Sequence, residues 1–149
     1  MNENTYYAKE ELKRVDHLIY VSLKYTRTGD VIKSVVNRLV AAFEYLSQGI
    51  IEHINEEADI EMTKVPLIQA KMVKEHFAES RIINEGMDLY LFLRKLNISK
   101  YTSVNEYRRN VTTTFNVDDE NIELTIDSVM AYYKQVLELV EVLEEKEIL

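Results

Sequence analysis

The fold predicted from this sequence is all-α: a four- to five-helix up-down bundle with a small β-hairpin before the last helix. Three observations carry it. Apolar residues recur at steps of three and four through most of the chain, as on helices buried along one side. That rhythm changes to strict alternation between Val111 and Ile126, interrupted by the polar run "DDEN". Only three glycines and one proline occur, so turns are few and elements long. The 149 residues are the ordinary size of one domain, 1–149. Such a chain buries roughly 70% of its unfolded surface, enough for a core without staples.

The first helix is expected from Ala8 to Thr26, with Leu12, Val15, Ile19 and Leu23 on one side. "TRTGD" ends it. Thr28 suits the N-cap of a second helix, Asp30 opposes the dipole of its first turn, and Gly29 makes a sharp corner. Ile32, Val36, Leu39, Phe43, Leu46, Ile50 and Ile54 form the longest stripe, broadened by Val31, Val35, Val40 and Ala42, so this helix is the predicted centre of the bundle. "NEEADIEMTK" breaks it, and Pro66 fits the first turn of a third helix. On that helix Leu67, Ile68, Met72, Val73 and Phe77 are expected to face inward. A fourth helix holds Ile82, Ile83, Gly86, Leu89, Tyr90, Leu93 and Leu96. The last starts after Asp127, read as its N-cap, with Val129, Tyr133, Val136, Val140 and Leu143 on one face.

Composition excludes several kinds of chemistry. Without cysteine there is no disulfide, thiolate metal site or cysteine nucleophile. No basic start leads into an apolar run, and no uninterrupted apolar run is longer than that at Leu89–Leu93, so no signal and no spanning helix is predicted. A cytoplasmic protein with no membrane partner is expected. Glycines at 29, 49 and 86 make no phosphate loop. Glu-x-x-His never occurs, because Arg14, Ile50 and Val73 precede His17, His53 and His76 by three. No metal or cofactor is expected. His53 is read as pairing with Glu56 or Glu57, and His76 with Glu79.

The net charge of -8 falls entirely after Asn116, while Arg94 to Arg109 reverses it, with five bases against Glu106. Tyr101 and Tyr107 stand in this basic segment with Lys100, Arg108 and Arg109, a combination suited to stacking a base while cations hold phosphate. Most other tyrosines, among them Tyr20, Tyr25, Tyr45, Tyr90, Tyr132 and Tyr133, are read as core or interface groups.

"YRRNVTTTF" resembles the signature of HEPN domains (higher eukaryotes and prokaryotes nucleotide-binding), whose mark is an Arg, often followed by a polar residue, and a His four to six positions on. Long helices before the motif and one after it are similar too, over nearly the whole chain, most of all to archaeal helical proteins of this type. The resemblance implies a homodimer that binds RNA, a nucleotide or a nucleotidyltransferase-type partner. Arg109 would contact phosphate, Arg108 would support it and Asn110 would donate a hydrogen bond. Thr113, Thr114 and Phe115 occupy the histidine's window, and a threonine hydroxyl cannot serve as a base near neutrality. A non-catalytic or degenerate module is therefore expected, with no catalytic residue. The phosphate-binding residues would be Arg109, Arg108, Asn110, Tyr107, Lys100 and Tyr101. The alternatives are a metal-independent, toxin-type endoribonuclease of the HEPN class, as in toxin–antitoxin pairs, and a purely structural helical dimer. Surplus apolar face on the second and last helices favours the dimer.

Overall fold

A computed structural model describes residues 3–60 and 63–149. The first helix is continuous but not uniform: α1 (Glu3–His17) passes through a π-helical segment (Leu18–Ser22) into a final turn, α2 (Leu23–Tyr25). It starts earlier than Ala8, and it buries Leu12, Val15, Ile19 and Leu23 as expected.

Thr28 caps α3 (Gly29–Ala58), its hydroxyl accepting from the Val31 N–H. Gly29 is helical and has no positive φ, so the corner before it does not come from glycine's conformational freedom. The absent side chain matters instead: a Cβ on Gly29 would lie 1.7 Å from Ser103 Oγ. The predicted stripe of α3 is buried, with Val31 at its edge half-buried, and α3 packs against α1, α4, α5 and α6 as the central member. The helix continues into the "NEEADIEMTK" stretch as far as Ala58, where Asp59 takes a left-handed cap. Residues 61 and 62 of that stretch lie outside the described residues.

Pro66 opens α4 (Pro66–His76) at N1, but the expected inward face is only partly right. Val73 is buried and Met72 and Phe77 are half-buried, whereas Leu67 and Ile68 are 65% and 47% exposed. Gln69 and Ala70 turn inward in their place; the Gln69 amide is satisfied by the Thr63 carbonyl at 2.7 Å, so its burial is tolerated. Ser80 separates α4 from α5 (Arg81–Asn97) by capping the Ile83 N–H.

The β region holds one strand more than the hairpin. β1 (Tyr101–Val104), β2 (Thr112–Val117) and β3 (Glu120–Leu124) form an antiparallel sheet in that order. The β2–β3 turn is only Asp118-Asp119, both left-handed, the primed geometry whose twist matches a two-residue hairpin. Val111, Thr113, Phe115, Leu124 and Ile126 are buried on the inner side. The sheet lies over the end of the bundle where α3 begins and α5 finishes. Thr125, not Asp127, is the N-cap of α6 (Ile126–Glu145), in a reciprocal capping box with Ser128; Asp127 lies in the first turn. The β3–α6 junction is thus two residues tighter than a cap at Asp127 would make it.

Among the described residues, no helix is long and apolar enough to cross a membrane. The surplus apolar face expected on the second and last helices is absent. No large apolar side chain of α3 is prominently exposed, and α6 exposes only Leu137, because α3 has neighbours on four sides.

Candidate functional site

The basic segment divides into two ends of one short strand. Lys100 precedes β1, and its carbonyl accepts from the Asn116 N–H, toward the hairpin turn. Arg108, Arg109 and Asn110 lie on the loop beyond Val104. At a strand rise of ~3.3 Å per residue, the length of β1 keeps Lys100 more than ~10 Å from that loop. Tyr101 is on the inner face, its ring 5.4 Å from Phe115 and its hydroxyl donating to Asp30 Oδ1 at 2.6 Å. That hydrogen bond pushes its phenol above the ordinary value. Tyr101 ties β1 to α3, so its ring is not free to stack. Of the six predicted residues, the structure brings together Tyr107, Arg108, Arg109 and Asn110.

Their loop is firmly held. The Tyr107 N–H donates to the Arg27 carbonyl at 2.7 Å, and Glu106 Oε2 accepts from the Gly29 N–H at 2.9 Å. Arg27 is itself fixed by Nε on the Leu23 carbonyl. The loop closes on itself through Arg108 N–H to the Asn105 carbonyl and Val111 N–H to the Arg108 carbonyl. This holds two residues in the left-handed region, Asn105 at φ 57° and Tyr107 at φ 67°. Asparagine tolerates that region. A bulky tyrosine does so at a cost of ~1–3 kcal/mol, and such strain clusters where it serves function. Tyr107 is nevertheless 73% exposed and makes no ring contact among the described residues. No packing explains the choice of tyrosine here.

The two arginines differ in what they touch. Arg109 Nη2 pairs with Asp127 Oδ1 at 3.0 Å, both side chains mostly exposed. Among the described residues, the Arg108 side chain makes no hydrogen bond or ion pair. Arg108 is thus the unpaired guanidinium, and Arg109 would have to exchange a weak, solvent-screened partner for a ligand. The Asn110 carbonyl accepts from the Thr112 hydroxyl, and its side chain is exposed.

One residue joins this corner that the sequence did not single out, and a second lies two positions before it. Tyr25, read as core or interface, is 75% exposed, with the Lys24 ammonium 5.9 Å from its ring centre. Arg27 is brought in by its carbonyl's bond to Tyr107. The signal for Arg27 was the break at "TRTGD", but only its tertiary contact with the β1–β2 loop reveals it. In the window of the missing histidine, Thr113 is fully buried and shares a hydrogen bond with Ser103, 3.0 Å away. The three histidines all belong to the helical rods. His53 and His76 meet on the same carboxylate, Glu57, at 3.2 and 3.3 Å, so His76 reaches across to α3 rather than to Glu79. Among the described residues, no cluster of three or more His, Asp or Glu is arranged to hold a metal ion.

No family model matches the chain, and neither the curated proteins nor the solved structures give a significant match.

Proposed function

We propose that this chain is a non-catalytic, HEPN-like binding module that takes unpaired RNA on the loop that carries Tyr107 and Arg108. The observation that carries this reading is Tyr107. An exposed aromatic ring, held in a strained backbone conformation beside an unpaired guanidinium, serves no packing purpose. Rings of this kind stack on bases without sequence preference, and adjacent cations hold the backbone phosphates. Arg108 is the first phosphate contact in this reading and Arg109 the second, after release from Asp127. With Thr113 buried and bonded to Ser103, the window of the missing histidine offers no imidazole to take a ribose 2′-hydroxyl proton, which favours binding over ribonuclease action.

The cytoplasm is the proposed location. The proposed assembly is a homodimer, whose contact would use the exposed apolar start of α4 (Val65, Leu67, Ile68), because α3 and α6 leave little apolar face uncovered. A nucleotidyltransferase-type partner would approach the same corner as RNA.

Fluorescence anisotropy with a labelled oligouridine tests the reading. Binding should weaken with salt, and Arg108→Ala should lower affinity and reduce the salt slope by about one phosphate contact. A base-paired hairpin of equal charge should bind less well than the single strand. A purely structural dimer predicts no salt-dependent binding at all, and that outcome would remove the proposal.

A further inference from the structure

A second cationic region lies on the bundle itself, apart from the loop. An open cleft of about 360 Å³ along α1 is lined by Glu10, Lys13, Arg14, His17, Leu18 and Arg38. Behind it is Glu11, a carboxylate only 8% exposed. Arg14 Nη1 donates to Glu11 Oε1 at 2.8 Å, and Arg38 Nη1 donates to Oε2 at 3.3 Å. One buried carboxylate thus binds two guanidiniums, one from α1 and one from α3, each by a single nitrogen. A guanidinium has five N–H donors, and among the described residues neither arginine has another acceptor.

The charges do not cancel. Lys13 pairs with Glu10 at 2.9 Å, so three permanent cations face two carboxylates, with His17 beside them, in a chain whose net charge is -8. A structural tie for Glu11 needs one arginine. The second leaves residual positive charge at the cleft, with donors oriented from behind. The cleft also coincides with the only π-helical segment among the described residues: His17 precedes that segment and Leu18 begins it. Interruptions of this kind inside α-helices are costly and occur often at functional sites.

We propose that this cleft binds a small phosphate-bearing ligand, its phosphate on the paired guanidiniums of Arg14 and Arg38 and the rest of the molecule toward His17 and Leu18. The tetrahedral phosphate suits the site better than a carboxylate. Its three free oxygens can take a fork from each arginine and a further contact from Lys13, whereas a carboxylate is filled by one fork. A cleft of this volume is at the small end of ligand pockets, so the ligand is a small molecule and not a polymer.

The test is an amide and arginine-side-chain NMR titration of the full chain with inorganic pyrophosphate, against sulfate at matched ionic strength. Saturable shifts are expected at His17, Leu18 and the Arg14 and Arg38 Nε–H groups. Arg38→Gln should weaken binding about tenfold, the effect of one charge-assisted hydrogen bond. Lys13→Glu, on a side chain 75% exposed and outside the Glu11 bridge, should weaken it as well without affecting the fold. Arg108→Ala should leave pyrophosphate binding unchanged, so this site and the RNA corner stand or fall separately. Shifts that do not saturate by about 10 mM, or an affinity that both charge variants leave intact, would overturn the proposal.

Discussion

Glu106 and Gly29, 77 positions apart, are joined by a 2.9 Å hydrogen bond from the glycine N–H to the carboxylate. A loop of the sheet thereby supplies negative charge and an acceptor to the first turn of α3, where the helix has unpaired N–H groups and a positive dipole end. The same contact orients the loop that carries Tyr107 and Arg108.

Glu106→Ala is therefore expected to destabilise the fold by ~1 kcal/mol, the usual magnitude for a lost N-terminal acceptor. Hydrogen exchange should quicken at the Gly29 and Tyr107 amides together, since one carboxylate holds the segment containing both. Faster exchange at Gly29 alone would show that the Arg27 carbonyl fixes Tyr107 without help.

Two glycines predict opposite results for the same substitution. A Cβ on Gly29 would meet Ser103 Oγ at 1.7 Å and Ser103 Cβ at 2.8 Å, both on a strand that Tyr101 fixes to α3. Gly29→Ala should cost about 1–3 kcal/mol as overpacking, and Ser103→Gly in the same chain should restore most of it. At Gly86 the obstacle is Leu139 Cδ2 at 2.9 Å, the end of a side chain that can move. There the helix-propensity gain of ~1 kcal/mol offsets the repacking, so Gly86→Ala should be near neutral. Urea denaturation of the three variants checks both statements.

Alkaline pH should loosen the fold through its tyrosines. Burial, together with the Asp16 carboxylate that its hydroxyl donates to at 3.0 Å, pushes the Tyr133 phenol up to about 12. Burial also raises Tyr90 and Tyr132. Below pH ~10 these phenols are protonated in folded and unfolded chains alike, and their contribution is fully present. Above it the unfolded chain ionises first, so stability falls as pH rises toward about 12, by up to ~2 kcal/mol for Tyr133. Tyr133→Phe should flatten this alkaline limb, measured by urea unfolding at several pH values. An unchanged limb would assign the effect to other groups.

The helices were legible because their determinants are local. Ile32 to Ile54 repeats every three or four residues, Pro66 sits where a missing N–H is harmless, and Ser80 stands three before Ile83, whose N–H it caps. β1 was not legible. "YTSV" has no strong alternation, and Ser103 faces inward only because the bare backbone of Gly29 leaves room for a small polar group and nothing more. Leu67 and Ile68 were misplaced for a related reason: periodicity names an apolar face but does not say whether a neighbour covers it. At the site, sequence proximity put Lys100 and Tyr101 with the arginines, whereas the strand separates them, and a long-range contact brings Arg27 in.

The backbone of Tyr107 connects stability to function in a way one substitution can expose. A non-glycine residue in the left-handed region gives up ~1–2 kcal/mol, and glycine recovers this less its own greater unfolded-state entropy of ~0.5–1 kcal/mol. Since Tyr107 is 73% exposed, removing its ring forfeits little packing. Tyr107→Gly should therefore stabilise the protein by several tenths of a kcal/mol to ~1 kcal/mol, and the N–H to the Arg27 carbonyl should persist. The same change should weaken oligouridine binding by ~1–3 kcal/mol, the worth of one stacked base. Thermal melts and anisotropy on one preparation give both numbers. A destabilised variant would mean that the ring has structural contacts after all; a stabilised variant with full affinity would mean that the RNA lies elsewhere. Only a gain in stability paired with a loss of binding fits a tyrosine kept in strain for its exposed face.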